Sequence, residues 1–163
     1  GILLSDGRPV FFSQQRVGKD CRVIRIVKFR SLASARDETP DALHDIDGRA
    51  FAFGRFLRRS RIDELPQLLM ILIGTMSFVG PRPETKYFHE RSMASIPCYS
   101  ERLRATPGLT GWAQVNHPYC SNLEDHKVKL EYDLYSLRHH GPALYVIVLL
   151  RTLGALVFPP RGN

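Results

Sequence analysis

The sequence predicts an α+β fold: one small single domain that opens with an N-terminal β-hairpin and continues through several short helices. Two local patterns and one global one carry this reading. Val23, Ile24, Ile26, Val27 and Phe29 crowd β-branched and aromatic residues into one run behind the turn Asp20-Cys21-Arg22. Leu65, Leu68, Leu69 and Leu72 recur at spacings that line one face of a helix, and Gly74 stands where such a helix would stop. The chain has 163 residues, 44% hydrophobic and 24% charged, enough for one real core of ordinary globular composition.

Taken in order, Pro9 to Phe12 reads as the first strand and Arg22 to Arg30 as the second. Side chains alternate along a strand, so Lys28 and Arg30 share a face. Ala33 to Arg49 holds Asp37, Glu38, Asp41, Asp45 and Asp47 with Pro40 and Gly48. It reads as a loop with one helical turn at Pro40 to His44. It lacks the ligand periodicity and closing glutamate of a calcium loop. Phe51, Phe53, Phe56 and Leu57 read as core or interface anchors. A helix is expected from Glu84 to Met93, after the bend Pro81-Arg82-Pro83. Thr106-Pro107-Gly108 has the residues of a type II turn, and Gly108 and Gly111 permit tight bending or close approach to a ligand. Trp112 reads as a core-packing residue. Ser121 or Asn122 caps the next helix, with Glu124 and Asp125 in its first turn. Its buried stripe is Leu123, Leu130, Leu134 and Leu137; Arg138, His139 and His140 suit the negative end of its dipole, and Gly141-Pro142 stops it. Ala143 to Phe158 fits three structures: a core helix, a strand at Tyr145 to Val148, or a helix in a membrane interface with Arg151 reaching toward headgroups.

The chemistry centres on Asp63 and Glu64, which follow Arg55, Arg58, Arg59 and Arg61. Adjacent helical residues point about 100° apart, so an ideal helix would not aim both acids at one atom. Pro66 changes that, either by kinking the helix from inside or by standing as its first residue. Both placements leave the acids near a helix start, where the dipole and the arginines favour the ionised form. A carboxylate in that setting can attack phosphorus once the phosphate charge is neutralised. The plainer alternative is a solvated helix start with surface ion pairs. The net charge of +7, from 23 basic and 16 acidic residues, points to phosphate-bearing partners: nucleotide, nucleic acid or an anionic membrane surface.

Other classes are excluded on spacing. Gly18-Lys19 is no P-loop, since Ser13 stands in place of the first glycine and Asp20 follows the lysine. Cys21, Cys98 and Cys120 are far apart and suit a reduced, cytosol-facing chain. His117 and Cys120 have ligand-like spacing without a second pair. No apolar run reaches spanning length and no signal peptide is evident. A nucleic-acid binder is disfavoured because aromatic residues do not interleave with basic ones along one surface.

Four blocks, in order, resemble the bacterial sugar transferases, the monotopic phosphoglycosyltransferases of the exopolysaccharide type. They are Pro9-Val10-Phe11-Phe12 with Gln15-Arg16-Val17-Gly18 and Lys28-Phe29-Arg30-Ser31; Asp63-Glu64-Leu65-Pro66-Gln67-Leu68; Met76-Ser77-Phe78-Val79-Gly80-Pro81-Arg82-Pro83-Glu84; and Pro107-Gly108-Leu109-Thr110-Gly111-Trp112-Ala113-Gln114-Val115-Asn116. The resemblance implies a membrane-associated catalytic domain spanning 1–163, with its membrane-inserting segment upstream, at the cytoplasmic face of the bacterial inner membrane. It implies transfer of a sugar-1-phosphate from a nucleotide-sugar of the UDP-sugar class to polyprenyl phosphate, starting exopolysaccharide assembly. Asp63 would be the nucleophile that carries the phosphosugar, and Glu64 would help the lipid phosphate attack it. Both would share Mg²⁺. Lys28, Arg30, Arg58 and Arg82 would neutralise phosphate charge, and Pro81, Arg82 and Pro83 would bind the nucleotide. Many members follow the last block with Gly and a nearby Arg; here Asn116-His117-Pro118-Tyr119-Cys120 follows, so that arginine has no counterpart and sugar choice stays open. Whether the protein is a monomer or a homo-oligomer is open too. The rival reading is a catalytically silent membrane-surface scaffold of a polysaccharide assembly machinery.

Overall fold

The structure, a computed structural model, describes residues 1–33, 49–117 and 122–157. Its elements are α1 (Ile2–Asp6), β1 (Phe11–Val17), β2 (Val23–Phe29), α2 (Ala52–Arg59), α3 (Leu68–Leu72), β3 (Ser77–Val79), α4 (Lys86–Ser95), β4 (Gly108–Thr110), α5 (Trp112–Asn116), α6 (Leu123–Arg138) and α7 (Pro142–Val157). Short 3-10 helices stand at Lys19–Cys21, Ile62–Gln67 and Tyr99–Arg104. The fold is thus mixed helix and strand, as expected. Most of the acidic loop, with its helical turn at Pro40 to His44, lies outside the described residues.

β1 and β2 form the expected hairpin. Near the turn Gly18 N–H donates to the Arg22 carbonyl, and at the open end Arg30 N–H donates to the Val10 carbonyl, each at 2.8 Å, which makes the pair antiparallel. The first strand starts at Phe11 rather than Pro9 and runs on to Val17. Its far end is held there because Val17 N–H donates to the Glu84 carbonyl at 2.8 Å.

Contacts gather into two units, one of Gly1–Ser13 and Val27–Leu68, the other of Gln14–Ile26 and Leu69–Asn163. In the first, α1 packs on α2, burying Ile2 and Leu57. Phe11 stacks on Phe29 with ring centroids 5.3 Å apart. Gly54 is where α2 meets the backbone at Ser31: a Cβ there would lie 2.0 Å from the Ser31 carbonyl oxygen. An apolar pocket of about 250 Å³ is lined by Ile2, Val10, Phe29, Phe53, Leu57 and Ile62. Of the anchors expected in this stretch only Leu57 is fully buried; Phe56 is exposed.

In the second unit β3 and β4 pair in parallel, Ser77 opposite Gly108 and Val79 opposite Thr110. The expected type II turn is absent, because among the described glycines only Gly7 and Gly74 have positive φ. What requires glycine is proximity instead. A Cβ on Gly108 would lie 2.1 Å from Gly80 N, and one on Gly80 would lie 2.3 Å from the Thr106 carbonyl oxygen. α4 starts at Lys86 rather than Glu84, since Thr85 caps it by accepting from Phe88 N–H at 3.4 Å. Asn122 caps α6 in a reciprocal box with Asp125. Leu130 packs with Ile96 and Tyr99, and Leu123 and Leu134 lean on that cluster.

α7 resolves the three-way choice at the C-terminal segment in part. It is a helix, so the strand at Tyr145 to Val148 is not formed. It is also not a core helix: Val148 is fully buried, but Leu150 and Leu153 are 63% and 57% exposed. Arg151 lies over the Trp112 ring at 4.9 Å and donates to Asn116 Oδ1 at 2.6 Å. Trp112 is half-buried and stacks on Tyr135, a surface wedge rather than a core residue. Leu69 and Leu72 do stand on a helix, as the spacing predicts, and both are exposed. Among the described residues no helix is long and apolar enough to cross a membrane.

Candidate active site

The acidic pair owes its position to a change of helix type. α2 ends at Arg59, and the Ser60 hydroxyl turns back to the Phe56 carbonyl at 2.8 Å. Arg61 adopts a left-handed conformation, φ 56°, which redirects the chain. A 3-10 helix then runs from Ile62 to Gln67, with Pro66 inside it. Pro66 therefore neither kinks an α-helix nor opens one. The tighter winding eclipses side chains three apart, so Glu64 and Gln67 fall on one line. Asp63, Glu64 and Gln67 are 5%, 9% and 3% exposed, while Leu65 is 50% exposed. The polar side chains point in and the leucine points out.

Burial decides the electrostatics. Lys28 Nζ donates to Glu64 Oε1 at 2.6 Å. Asp63 Oδ1 and Gln67 Nε2 have no hydrogen-bond partner among the described residues. Burial and then the neighbouring Glu64 push the Asp63 carboxyl above its ordinary range; Lys28, Arg58 and Arg61 pull it back without cancelling the rise. This corrects the expectation that the helix start and arginines would favour its ionised form. The cations are present, but desolvation outweighs them.

The other expected phosphate ligands are placed as follows. Arg58 is half-buried on α2 and acts on Asp63 through its charge. Arg30 is buried and donates to the carbonyls of Asp6, Gly7 and Pro9, at 2.7, 2.9 and 2.6 Å, and to the Asp6 carboxylate. Its guanidinium faces the Phe51 ring at 5.6 Å. It clamps the turn before β1. For a metal, Asp63 and Glu64 are the carboxylates at hand; among the described residues no group of three or more His, Cys, Asp or Glu gathers, here or elsewhere. Two carboxylates suit Mg²⁺, which takes few protein ligands and completes its shell with phosphate oxygens and water.

Pro81, Arg82 and Pro83 lie in the second unit, on a segment held by its backbone. Arg102 Nη2 donates to the Arg82 carbonyl at 2.9 Å, and Arg16 Nη1 to the Pro83 carbonyl at 3.2 Å. Behind them lie two buried ion pairs, Arg102 with Asp133 at 2.8 Å and Lys129 with Glu84. Burial opposes the charge on Glu84, yet Lys129, Arg102 and Arg16 outweigh it and hold the carboxyl far below its ordinary range. These pairs were not foreseen from sequence, and neither was the inward Gln67. The partners stand 31 and 45 positions apart, beyond any local pattern. His117 Nε2 lies 3.6 Å from Asp125 Oδ1, and Cys120 lies outside the described residues.

The family model described as bacterial sugar transferase matches residues 1–159. The chain belongs to the bacterial sugar transferase family. It is 38% identical over 157 residues to the UDP-N-acetylgalactosamine-undecaprenyl-phosphate N-acetylgalactosaminephosphotransferase of Aeromonas hydrophila, covering 96% of this chain and 37% of that relative. It is 39% identical over 140 residues to the UDP-glucose:undecaprenyl-phosphate glucose-1-phosphate transferase of Escherichia coli (strain K12), covering 84% of this chain and 30% of the relative. A transferase of the same description from Xanthomonas campestris pv. campestris is 38% identical over 156 residues, covering 93% and 32%. The chain thus spans about a third of the length of these sugar transferases.

Proposed function

We propose that this sugar transferase chain moves a sugar-1-phosphate from a UDP-sugar to polyprenyl phosphate through a covalent intermediate on Asp63. The observation that carries the reading is the state of Asp63: buried, one oxygen without a partner among the described residues, and set among Lys28, Arg58 and Arg61. A carboxylate so held is poorly solvated and therefore a better nucleophile than one in water. In the first step an Asp63 oxygen bonds to the β-phosphorus, the bond from that phosphorus to the bridging oxygen breaks, and UMP leaves with the electron pair. In the second step a phosphate oxygen of the lipid attacks the same phosphorus and frees the carboxylate. The product is a polyprenyl diphosphosugar.

The cationic side chains act by neutralising charge on the oxygens around phosphorus, most of what phosphoryl transfer asks of a protein. Lys28 also fixes Glu64 beside Asp63, where Glu64 takes a proton from a monoprotonated lipid phosphate. Mg²⁺ would be held by Asp63 and Glu64 together with diphosphate oxygens, and when bound it supplies further charge neutralisation. Pro81, Arg82 and Pro83 would receive the nucleotide, their backbone held by Arg102 and Arg16. The exposed apolar sides of α7 and α3 fit a chain that rests on the cytoplasmic face of the inner membrane, where the lipid acceptor lies.

The test is mass spectrometry of the full-length protein after incubation with a panel of UDP-sugars and Mg²⁺, without acceptor. A phosphosugar adduct on Asp63, with stoichiometric UMP, is expected, and Asp63→Asn should give neither. If the wild-type protein binds membranes but releases no UMP from any of the sugars, the silent-scaffold reading replaces this one.

A further inference from the structure

We propose that Gln67 contacts substrate, its side-chain N–H donating a hydrogen bond to a non-bridging oxygen of the phosphoryl group that Asp63 attacks. The inference rests on the reading of Asp63 as nucleophile and adds a binding group to it.

Three observations converge on this side chain. Gln67 is 3% exposed, and its Nε2 has no partner among the described residues. A buried amide without a bond is a standing destabilisation that methionine or leucine, of similar size, would remove. The second observation lies on the same 3-10 helix: Asp63 Oδ1 is also without a partner among the described residues, so this acceptor and this donor, four residues apart, do not satisfy each other. The third is the inversion of the 3-10 helix, which turns Asp63, Glu64 and Gln67 inward and leaves Leu65 half exposed. Folding alone would favour the opposite arrangement.

The chemistry that fits these two unpartnered atoms is specific. An electrophilic phosphorus with anionic oxygens presents one atom for a carboxylate oxygen and another for an N–H donor. Lys28 is already engaged by Glu64 at 2.6 Å. A neutral donor on the helix that carries Glu64 would stabilise charge on the phosphoryl oxygen without forming an ion pair with the nucleophile. No proton is transferred: the hydrogen bond strengthens as the Asp63–phosphorus bond forms and the bond to UMP breaks. A preorganised donor of this kind acts mainly in the transition state.

The experiment compares wild type, Gln67→Met, Gln67→Leu, Gln67→Glu and Asp63→Asn in the full-length protein, with the UDP-sugars that wild type turns over. The readouts are the single-turnover rate of adduct formation, the KM for UDP-sugar, the Mg²⁺ dependence and the melting temperature. Loss of one such donor typically slows the reaction about 100-fold or more. Gln67→Met is expected to show that loss mainly in kcat, with a melting temperature equal to or above wild type. Gln67→Glu should be slower still, since it replaces the donor with a like charge. Adduct formation at the wild-type rate in Gln67→Met overturns the assignment. So does a lowered melting temperature in both Gln67→Met and Gln67→Leu, which would make the amide structural. An active Gln67→Glu that binds Mg²⁺ more tightly overturns it in favour of a metal ligand. Asp63→Asn separates the two levels: if it still releases UMP, the aspartyl mechanism itself fails. If it is inactive while Gln67→Met runs normally, only the role of Gln67 falls.

Discussion

Replacing Arg102 by methionine tests the claim that buried charge, not apolar packing alone, holds the Pro81-Arg82-Pro83 segment. Arg102 is 2% exposed and Asp133 1% exposed. The guanidinium donates to Asp133 Oδ2 at 2.8 Å, to the Tyr99 hydroxyl at 3.3 Å and to the Arg82 carbonyl at 2.9 Å. Burial draws its pKa down, but Asp133, Tyr99 and Glu84 together raise it beyond its ordinary value, so it stays charged throughout the accessible pH range. Methionine fills much of the same space yet abandons a buried carboxylate and a part-buried carbonyl. Breaking one side of such a pair costs about 3–5 kcal/mol. At this chain length each kcal/mol lowers the melting temperature by roughly 2–4 °C, so the fall should be roughly 6–20 °C. The assay is urea and thermal denaturation of Arg102→Met, Asp133→Leu and the double variant. The double variant should lose much less than the sum, because an apolar pair in place of a buried ion pair is often close to neutral. It still lacks the donor to the Arg82 carbonyl, so its KM for UDP-sugar should remain raised after stability has returned. Strict additivity, or a loss below about 1 kcal/mol in either single variant, would refute the reasoning.

Four further outcomes follow from particular contacts. Glu84 has a folded-state pKa well below its ordinary 4.5, so above that pH the unfolded chain binds no extra proton and the stabilisation is complete; it is lost as pH falls below 4.5. Urea midpoints measured from about pH 6 down to about pH 3 should therefore fall more steeply for wild type than for Glu84→Gln. Asp63 has the opposite sign: its pKa is raised above 3.8, so stability decreases as pH climbs from 3.8 through the folded value. Asp63→Asn should accordingly be no less stable than wild type at neutral pH, as read by thermal melting. Gly80→Ala and Gly108→Ala place a Cβ against backbone at 2.3 and 2.1 Å, and each should cost at least about 1–3 kcal/mol in denaturant titration. On α7, Leu150→Glu with Leu153→Glu should weaken co-sedimentation with anionic liposomes while leaving the melting temperature close to wild type, since both side chains are already exposed.

Elements whose signals are local were readable. The Asn122 cap, the Gly74 stop and the hairpin each depend on residues within a few positions of one another. The acid pair was readable as a pair for the same reason. What escaped was everything that depends on which side of an element meets the rest of the chain. Leu65, Leu69 and Leu72 do share a spacing, but spacing tells which residues sit together and not whether that side is covered. Pro107-Gly108 suggested a turn, whereas the glycine is required by the backbone at Gly80, a partner from a different strand. Arg30 and Lys28 illustrate the same limit: alternation placed them on one face, but Arg30 is drawn to three carbonyls before β1 while Lys28 reaches Glu64.

The inverted 3-10 helix joins these threads. An amphipathic segment stabilised by folding alone would bury Leu65 and expose Asp63, Glu64 and Gln67; here the reverse holds. The arrangement raises the pKa of Asp63 and leaves polar atoms at Asp63 and Gln67 without partners among the described residues. Each of these features disfavours the folded state, and each is what a nucleophile needs in order to meet a phosphoryl group away from bulk water. The proposed chemistry gives this inversion a reason: on that reading, the demands of packing yield at this turn to those of the site.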